Sequence, residues 1–143
     1  MFCTELTSLP AHARPMSLQE CDSQGNLWFL SSDASNKNFE IRDDRRVQLY
    51  FVNKSDSEFL SVYGQAYIYG DRQTIEEQWT PIANAWFDGK DDPAVSIIRV
   101  APENVYYWDT KAGKLVSLIS FVTSVITGSK TDNSDGVEGN LKI

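Results

Sequence analysis

A cluster of hydroxyl, amide and amino groups follows an apolar run early in the chain. The run ends near Leu30, and the polar side chains after it include Ser31, Ser32, Ser35, Asn36 and Lys37. Serine and asparagine in a turn present several donors, and the lysine adds a positive charge, so the cluster could bind a phosphate. It could also be a turn whose side chains bond to its own backbone, which residue chemistry alone favours. No GxxxxGK[ST] or GxGxxG loop is present.

Arg14 is the second group of interest, because it lies in the segment HARPMS on a strand otherwise suited to the core. Arginine is seldom buried without a partner, and its planar fork fits a carboxylate, a phosphate or a carbonyl-rich ring edge. An outward-facing arginine on a hairpin explains it equally well. Pro15 lacks a backbone N–H, so this strand is expected at a sheet edge or at an irregularity.

Groups for acid–base or metal chemistry are sparse. The one histidine, His12, is predicted in an exposed turn with no serine or carboxylate partner evident in the sequence, so a catalytic triad has little support. The acidic pairs at 43–44 and 91–92 are typical of turn charges. No Cys/His cluster has metal-ligand spacing, and no metal site is predicted. An enzyme with this chain would therefore rely on a cofactor.

Tryptophan is frequent for a short chain. Trp86 is expected at a helix end beside a polar loop, and Trp108 near the end of a strand. Such rings can form the walls of a site for a flat heterocycle, although packing in a core or a dimer is the commoner role.

The elements that must position these groups are mostly strands. Strand signals predict strands over 1–6 and 13–20, which flank a short turn at 7–12, and over 26–32, 46–53, 59–70 and 96–109, the last interrupted at Pro102. Gly64 is expected at a bulge or a close backbone approach. Residues 37–46 read as a solvated turn.

Two helical segments are predicted. The first covers 71–87, with Asp71 as N-cap, a kink or division at Pro81, and one apolar stripe of Ile75, Trp79, Ile82 and Trp86. In the second, 114–127, helix and strand compete because the segment is rich in β-branched residues.

Composition limits the classes of protein. The 143 residues suit one domain, and the net charge of −7 argues against nucleic-acid binding. No run of 18 apolar residues is present, so no membrane span is predicted. Cys3 and Cys21 are expected too far apart to pair, which favours free thiols in a reducing, cytoplasmic compartment.

In order along the chain, these motifs resemble a known family. They are Arg14-Pro15-Met16, the strand 27–32 with its terminal hydroxyls, Ser35-Asn36-Lys37, Trp86-Phe87, Asp92-Pro93 and Tyr107-Trp108-Asp109. The set resembles the flavin-binding split-barrel superfamily of pyridoxamine 5′-phosphate oxidase, and within it the general stress protein 26 branch.

The resemblance implies a mainly β fold, a six-stranded antiparallel Greek-key split β-barrel with flanking helices, spanning 1–143 as one domain. It implies a homodimer with FMN at the subunit interface. The residues it assigns to FMN are Arg14, Pro15, Met16, Ser17 and Gln19 along the ring and towards the phosphate, Leu30 and Ser31 at the ring edge, Ser35, Asn36 and Lys37 at the phosphate, and Trp86 and Trp108 from the second subunit. The branch also has a helix before its first strand, which is expected ahead of Met1.

Several positions depart from the oxidases of the superfamily. Asn36 stands where they carry an arginine, Gln19 where they carry a lysine, and Phe59 where they carry a glutamine that contacts the flavin. Their substrate-binding Arg and His near the C-terminus have no match in GVEGNLKI. These differences predict weaker FMN binding and argue against vitamin B6 oxidation.

Two functions therefore remain open: a flavin-dependent oxidoreductase of unknown substrate, associated with stress, and a non-catalytic module that binds, senses or stores flavin. A less favoured third is a barrel for another flat ligand, such as a deazaflavin or haem. The catalytic residues are unknown.

Overall fold

One antiparallel sheet with flanking helices makes up the part of the chain that the computed structural model describes, residues 1–54, 57–110 and 136–142. The strands are β1 (Phe2–Thr4), β2 (His12–Arg14), β3 (Leu18–Cys21), β4 (Leu27–Ser32), β5 (Arg46–Asn53), β6 (Glu58–Tyr69), β7 (Val95–Thr110) and β8 (Gly136–Lys142). The helices are α1 (Asn36–Asp43), α2 (Arg72–Gln78) and a 3-10 helix over Pro81–Ala85.

The strand order forces the sheet to curl. Seven strands follow the order β2-β1-β5-β6-β7-β4-β3, and β8 pairs with the second half of β7. The two ends of this order, β2 and β3, are separated in sequence only by residues 15–17. The ring of Phe2 on β1 accordingly lies 5.3 Å from that of Phe29 on β4, edge to face. The predicted mainly β split barrel is confirmed, with seven strands on the main path and an added eighth rather than six.

Alternation along the strands places the core inside the curl. On β4, Leu27 and Phe29 are buried while Trp28 and Leu30 are half-buried on the outer face. Each large side chain that is fully buried stabilises the fold by about 1.5–3 kcal/mol. The outer residues of β4 pack with Ile75 of α2, so the barrel is covered on this side.

The long strand β7 replaces the interrupted strand of the sequence prediction. It runs through Pro102 without ending, because the irregularity is absorbed by a bulge: Tyr63 pairs with Asn104, and Gly64 pairs with Pro102. The prediction of a break was therefore wrong. The predicted close approach at Gly64 is confirmed, since a Cβ there would lie 2.3 Å from the carbonyl oxygen of Ala101.

The helical predictions are only partly confirmed. Asp71 caps α2, its carboxylate accepting the Thr74 backbone N–H at 2.9 Å. The single stripe is wrong, because α2 ends at Gln78 and the 3-10 helix that begins at Pro81 leaves Ile82 and Trp86 exposed. Proline lacks the N–H needed to continue an α-helix, which explains the division. The predicted segment 114–127 lies outside the described residues.

Two other predictions are corrected by the structure. Residues 37–46, expected as a turn, contain most of α1, whose Asn38 and Ile41 are buried. The expected strand 13–20 is divided at Pro15 into β2 and β3, and β3 pairs with β4. Cys3 and Cys21 are free, as predicted. No helix among the described residues is long and apolar enough to cross a bilayer.

Candidate functional site

A groove of about 620 Å³ opens where the two ends of the sheet meet, and it is called the main groove below. Its walls come from the 15–17 link and β3, the end of β4, the first turn of α1 and the segment after the 3-10 helix. The lining residues are Pro15, Met16, Ser17, Gln19, Leu30, Ser31, Ser32, Lys37, Trp86 and Phe87. Most of the residues predicted to contact FMN are therefore brought together in a single chain.

The first turn of α1 supplies the polar part of the main groove. Ser35 is the N-cap, with extended backbone angles, and Asn36 and Lys37 open the helix. Lys37 Nζ donates to Ser35 Oγ at 3.0 Å, and this hydroxyl lies 3.4 Å from Ser31 Oγ. The first N–H groups of a helix have no partner within it, and the helix dipole favours negative charge at this end. The turn therefore has the donors an oxyanion needs.

Lys37 is partly withdrawn from water. Its half-burial lowers the pKa of the ammonium, the nearby charge of Arg14 lowers it further, and Glu40 acts in the opposite direction. A desolvated cation beside a second cation is stabilised when an anion binds, because the anion restores the interactions that water supplied. Lys37 is the one basic side chain among the described residues that line the main groove.

A buried polar network fixes α1 against the sheet. Asn38 Oδ1 accepts from Ser31 Oγ at 2.7 Å and from Ser35 Oγ at 3.2 Å. Its Nδ2 donates to Ser96 Oγ at 2.9 Å, and Ser96 Oγ donates to the backbone carbonyl of Ser31 at 3.2 Å. Asn38 and Ser96 are fully buried. The network thus determines where the first turn of α1 sits relative to β4.

The guanidinium group of Arg14 pairs with the carboxylate of Glu40, which lies one helical turn after Lys37 on α1. Its Nη2 donates to Glu40 Oε2 at 2.9 Å and its Nη1 to Thr4 Oγ1 at 2.9 Å. His12 is exposed, as predicted, but it lies on β2 rather than in a turn, and its Nδ1 is 2.7 Å from Glu40 Oε1. The sequence prediction gave it no such partner.

Glu40 is the centre of this second network. Burial alone would raise the pKa of its carboxyl group, but hydrogen bonds from Thr4, His12 and Arg14 outweigh burial and lower the pKa to about 2. The carboxylate is therefore ionised at neutral pH. It partly offsets the positive charges of Arg14 and Lys37 beside the main groove.

Sequence reasoning missed Asn38 and Glu40. Both lie on α1, whose residues show no apolar period of 3.6, so the helix itself gave little signal. Ser35, a residue type preferred at helix N-caps, was the available indication of where α1 begins.

Four predicted residues lie outside the lining of the main groove. Arg14 turns to Glu40, Ser35 lies behind Lys37 Nζ, and Asn36 is exposed at the start of α1. Trp108 lies on β7 opposite Phe59 of β6, with 54% of its surface exposed. The contact of Trp108 with FMN from a second subunit stays a prediction.

Gln19 and Thr80 connect the groove to the segment that carries its aromatic wall. Thr80 Oγ1 donates to Gln19 Oε1 at 2.9 Å, immediately before the 3-10 helix. That helix leads into Trp86 and Phe87, and Phe87 packs against Trp79 with ring centres 6.5 Å apart. The segment that carries Trp86 and Phe87 is therefore held against β3 by this hydrogen bond.

Residues 1–132 match the family model described as pyridoxamine 5′-phosphate oxidase like. The chain belongs to the pyridoxamine 5′-phosphate oxidase-like family. This confirms the resemblance on which the site prediction rests. The match covers α1 and the four segments around the main groove, so the family assignment and the groove concern the same part of the chain.

Two curated relatives of this oxidase-like family member are 28% identical to it. Protein bli-3 of Neurospora crassa matches over 126 residues, 81% of this chain and 60% of the relative. General stress protein 26 of Bacillus subtilis matches over 82 residues, 55% of this chain and 59% of the relative. The chain therefore spans about three fifths of the length of these relatives.

Solved structures of two general stress proteins share the fold. A general stress FMN/FAD binding protein from Xanthomonas citri superposes with a TM-score of 0.67 at 28% identity, covering 80% of this chain and 82% of its own. General Stress Protein 26 from Bacillus anthracis superposes with a TM-score of 0.64 at 23% identity, covering 74% and 80%. The second likeness concerns the fold alone.

Proposed function

We propose that the chain binds FMN in the main groove, with the phosphate at the first turn of α1. One observation carries this proposal: the link at 15–17, the end of β4, Lys37 and Trp86 line a single groove of about 620 Å³. Such a volume lies in the range of cofactor sites, which combine apolar walls with a few placed polar groups. The Xanthomonas citri neighbour is an FMN/FAD binding protein, which supports the same ligand class for this chain.

The residues present fit both halves of the cofactor. Lys37 and the N–H groups of the α1 first turn suit the phosphate, because anions bind at helix N-termini. The Ser35 hydroxyl orients the Lys37 ammonium by accepting from it at 3.0 Å. Pro15, Met16 and Leu30 offer apolar surface for the flat ring. Asn36 and Gln19 are uncharged, so the phosphate meets fewer cations than in the oxidases and binding is expected to be weaker.

An oxidoreductase of unknown substrate is the first of two candidate activities. FMN supplies hydride or single-electron transfer through its ring system when bound. The groove's role is then to orient the ring, exclude water along Met16 and Leu30, and hold the phosphate.

A non-catalytic flavin-binding module is the second candidate, and one observation favours it. Among the described residues lining the main groove, Lys37 is the one titratable side chain, so this chain offers no separate acid or base there. Stopped-flow reduction of the bound flavin by NADH and NADPH separates the two. Rapid turnover with an acceptor supports the oxidoreductase, and absence of reduction supports the binding module.

We also propose a homodimer, supported by an exposed apolar row on the outside of the sheet. Val52, Phe59 and Trp108 are direct neighbours across β5, β6 and β7. Their exposed fractions are 48%, 46% and 54%. Aromatic residues are enriched at interfaces, and exposed apolar clusters mark them. A second copy covering this row would also bring Trp108 towards a flavin, as the sequence prediction requires.

The primary experiment is isolation of the full chain without refolding, followed by an absorption spectrum and a titration with FMN. A flavin spectrum, or saturable binding of one FMN per chain, supports the proposal. A colourless protein that fails to bind added FMN overturns it. A deazaflavin or haem spectrum would overturn it in favour of another flat ligand.

A further inference from the structure

A second groove, of about 450 Å³, lies on the other side of α1 from the main groove. It is called the arginine groove here, and its lining residues are Asp33, Ile41, Arg42, Arg45, Ala66, Tyr67, Ile68, Tyr69 and Gly70. Lys37 in the first turn of α1 faces one groove, and Ile41 and Arg42 near the end of α1 line the other. The two grooves therefore share a helix but no lining residue.

Arginine pairing is uneven in this chain. Of its six arginines, Arg14, Arg42, Arg46 and Arg72 form ion pairs with carboxylates. Arg45 and Arg99 have no such partner among the described residues. In a protein with a net charge of −7, two arginines left without carboxylates on the same face are unexpected.

The two unpaired arginines meet at a single ring. The guanidinium carbon of Arg45 lies 5.1 Å from the centre of the Tyr67 ring, and that of Arg99 lies 4.9 Å from the same centre. Arg99 is also 5.6 Å from the Tyr69 ring centre. Cation–π contact holds both charges in place, and no residue that the structure describes accepts a hydrogen bond from either guanidinium group.

Water can satisfy the N–H donors of only one of these two arginines. Arg45 is exposed and its donors can meet water. Arg99 is half-buried, and its Nε is a buried nitrogen with no hydrogen-bond partner. Two like charges this close to one ring are unfavourable where water is partly excluded, unless an anion compensates them. Asp33, the one acid among the described residues that line the groove, already pairs with Arg42.

We propose that the arginine groove binds the phosphate group of a small molecule, with Arg45 as its direct contact. Arg42 stands in the wall, and Arg99 adds charge from across Tyr67. Two uncompensated guanidinium charges favour a dianion over a monocarboxylate, and the guanidinium fork matches the oxygens of a phosphate. This site is separate from the proposed FMN site, because no lining residue is shared.

The test is a titration of the ¹⁵N-labelled full chain with inorganic pyrophosphate, followed through the arginine Nε–H signals. The Nε–H signals of Arg45 and Arg99 should shift together and saturate with one dissociation constant. Arg45→Gln keeps much of the aliphatic stem and removes the charge, and it should raise that constant about tenfold, since a charge-assisted contact is lost. The backbone amide signals in the same spectra report whether the variant is folded.

Two controls make the outcome decisive. Arg72→Ala removes one positive charge from α2, outside the groove, and should leave the dissociation constant unchanged. Lys37→Ala should also leave it unchanged, which separates this site from the main groove. Shifts that do not saturate, that chloride reproduces at equal ionic strength, or that persist with the same constant in Arg45→Gln would overturn the proposal. A dissociation constant for pyrophosphate that changes in Lys37→Ala would also overturn it.

Discussion

Asn38 Oδ1 accepts a hydrogen bond from Ser31 Oγ at 2.7 Å, and this bond joins α1 to the end of β4. Ser31 lines the main groove, whereas Asn38 lies behind it and is fully buried. The position of Lys37, one residue before Asn38, depends on this attachment. The geometry of the proposed phosphate site is therefore set by a residue that cannot itself reach a ligand from its buried position.

Asn38→Ala should destabilise the fold by about 1–3 kcal/mol, because it removes the buried hydrogen bonds that Asn38 makes with Ser31 and Ser96. Urea unfolding of the two proteins measures this difference. Asn36→Ala is the matched control, since Asn36 is exposed and lies two residues away. Equal unfolding midpoints for the two variants would contradict the role assigned to Asn38.

Glu40 should make stability depend on pH in the acid range. Its pKa falls from 4.5 to about 2 in the folded chain, so the unfolded chain binds more protons in that interval. The stabilisation is complete above about pH 4.5 and is lost as the pH falls towards about 2. Glu40→Gln should be less stable than the parent near neutral pH. The difference in their free energies of unfolding should become smaller as the pH falls from about 4.5 towards about 2.

Unfolding free energies measured at several pH values test this dependence. Glu77→Gln is the control, because Glu77 is an exposed acid on α2 that accepts only from Gln73 among the described residues. Arg46 lowers the pKa of Asp44 to about 2 as well, so the free energy of unfolding of every variant still changes with pH in the acid range. A constant gap between Glu40→Gln and the parent from neutral to acid pH would refute the assignment.

Gly64→Ala should destabilise the barrel by about 1–3 kcal/mol, because its Cβ would collide with the backbone of Ala101 and not with a movable side chain. Gly70→Ala is the control, since a Cβ there meets nothing within 4 Å. Thermal or urea unfolding compares the two substitutions. Similar stability in both variants would show that β6 and β7 can separate at the bulge without loss.

The exposed row on β5, β6 and β7 should hold the proposed dimer together. Trp108→Ser should weaken association by about 2 kcal/mol or more, because buried aromatic residues dominate interface energies. Ile82→Ser is the control, as Ile82 is 65% exposed but lies outside the row. Sedimentation equilibrium measures both. A chain that is monomeric before substitution, or equal dissociation constants for both variants, would count against this interface.

The strands could be predicted from the sequence because their signals are local. Apolar patterns of neighbouring residues identified β4, β5 and β6. The residues of the main groove were predicted from the resemblance to the family, since residue chemistry alone favoured a turn that bonds to its own backbone.

The helix α1 and its two networks were not accessible in the same way. Asn38 bonds to Ser96, and Glu40 bonds to Thr4 and Arg14, all far away in the sequence. A polar residue is placed on a buried helix face only by such distant partners, so residue type alone suggested a solvated turn.

The most direct test of the proposed phosphate site compares FMN with riboflavin, which lacks the phosphate, in the parent chain and in Lys37→Ala. The parent should bind FMN more tightly than riboflavin, and Lys37→Ala should lose about 1.5–3 kcal/mol of FMN affinity with little change for riboflavin. Lys90→Ala, an exposed lysine outside the groove, should bind as the parent does. Fluorescence titration of the three proteins with the two flavins gives the six dissociation constants. Equal affinity for the two flavins in the parent, or an equal loss for both in Lys37→Ala, would contradict a phosphate site at α1.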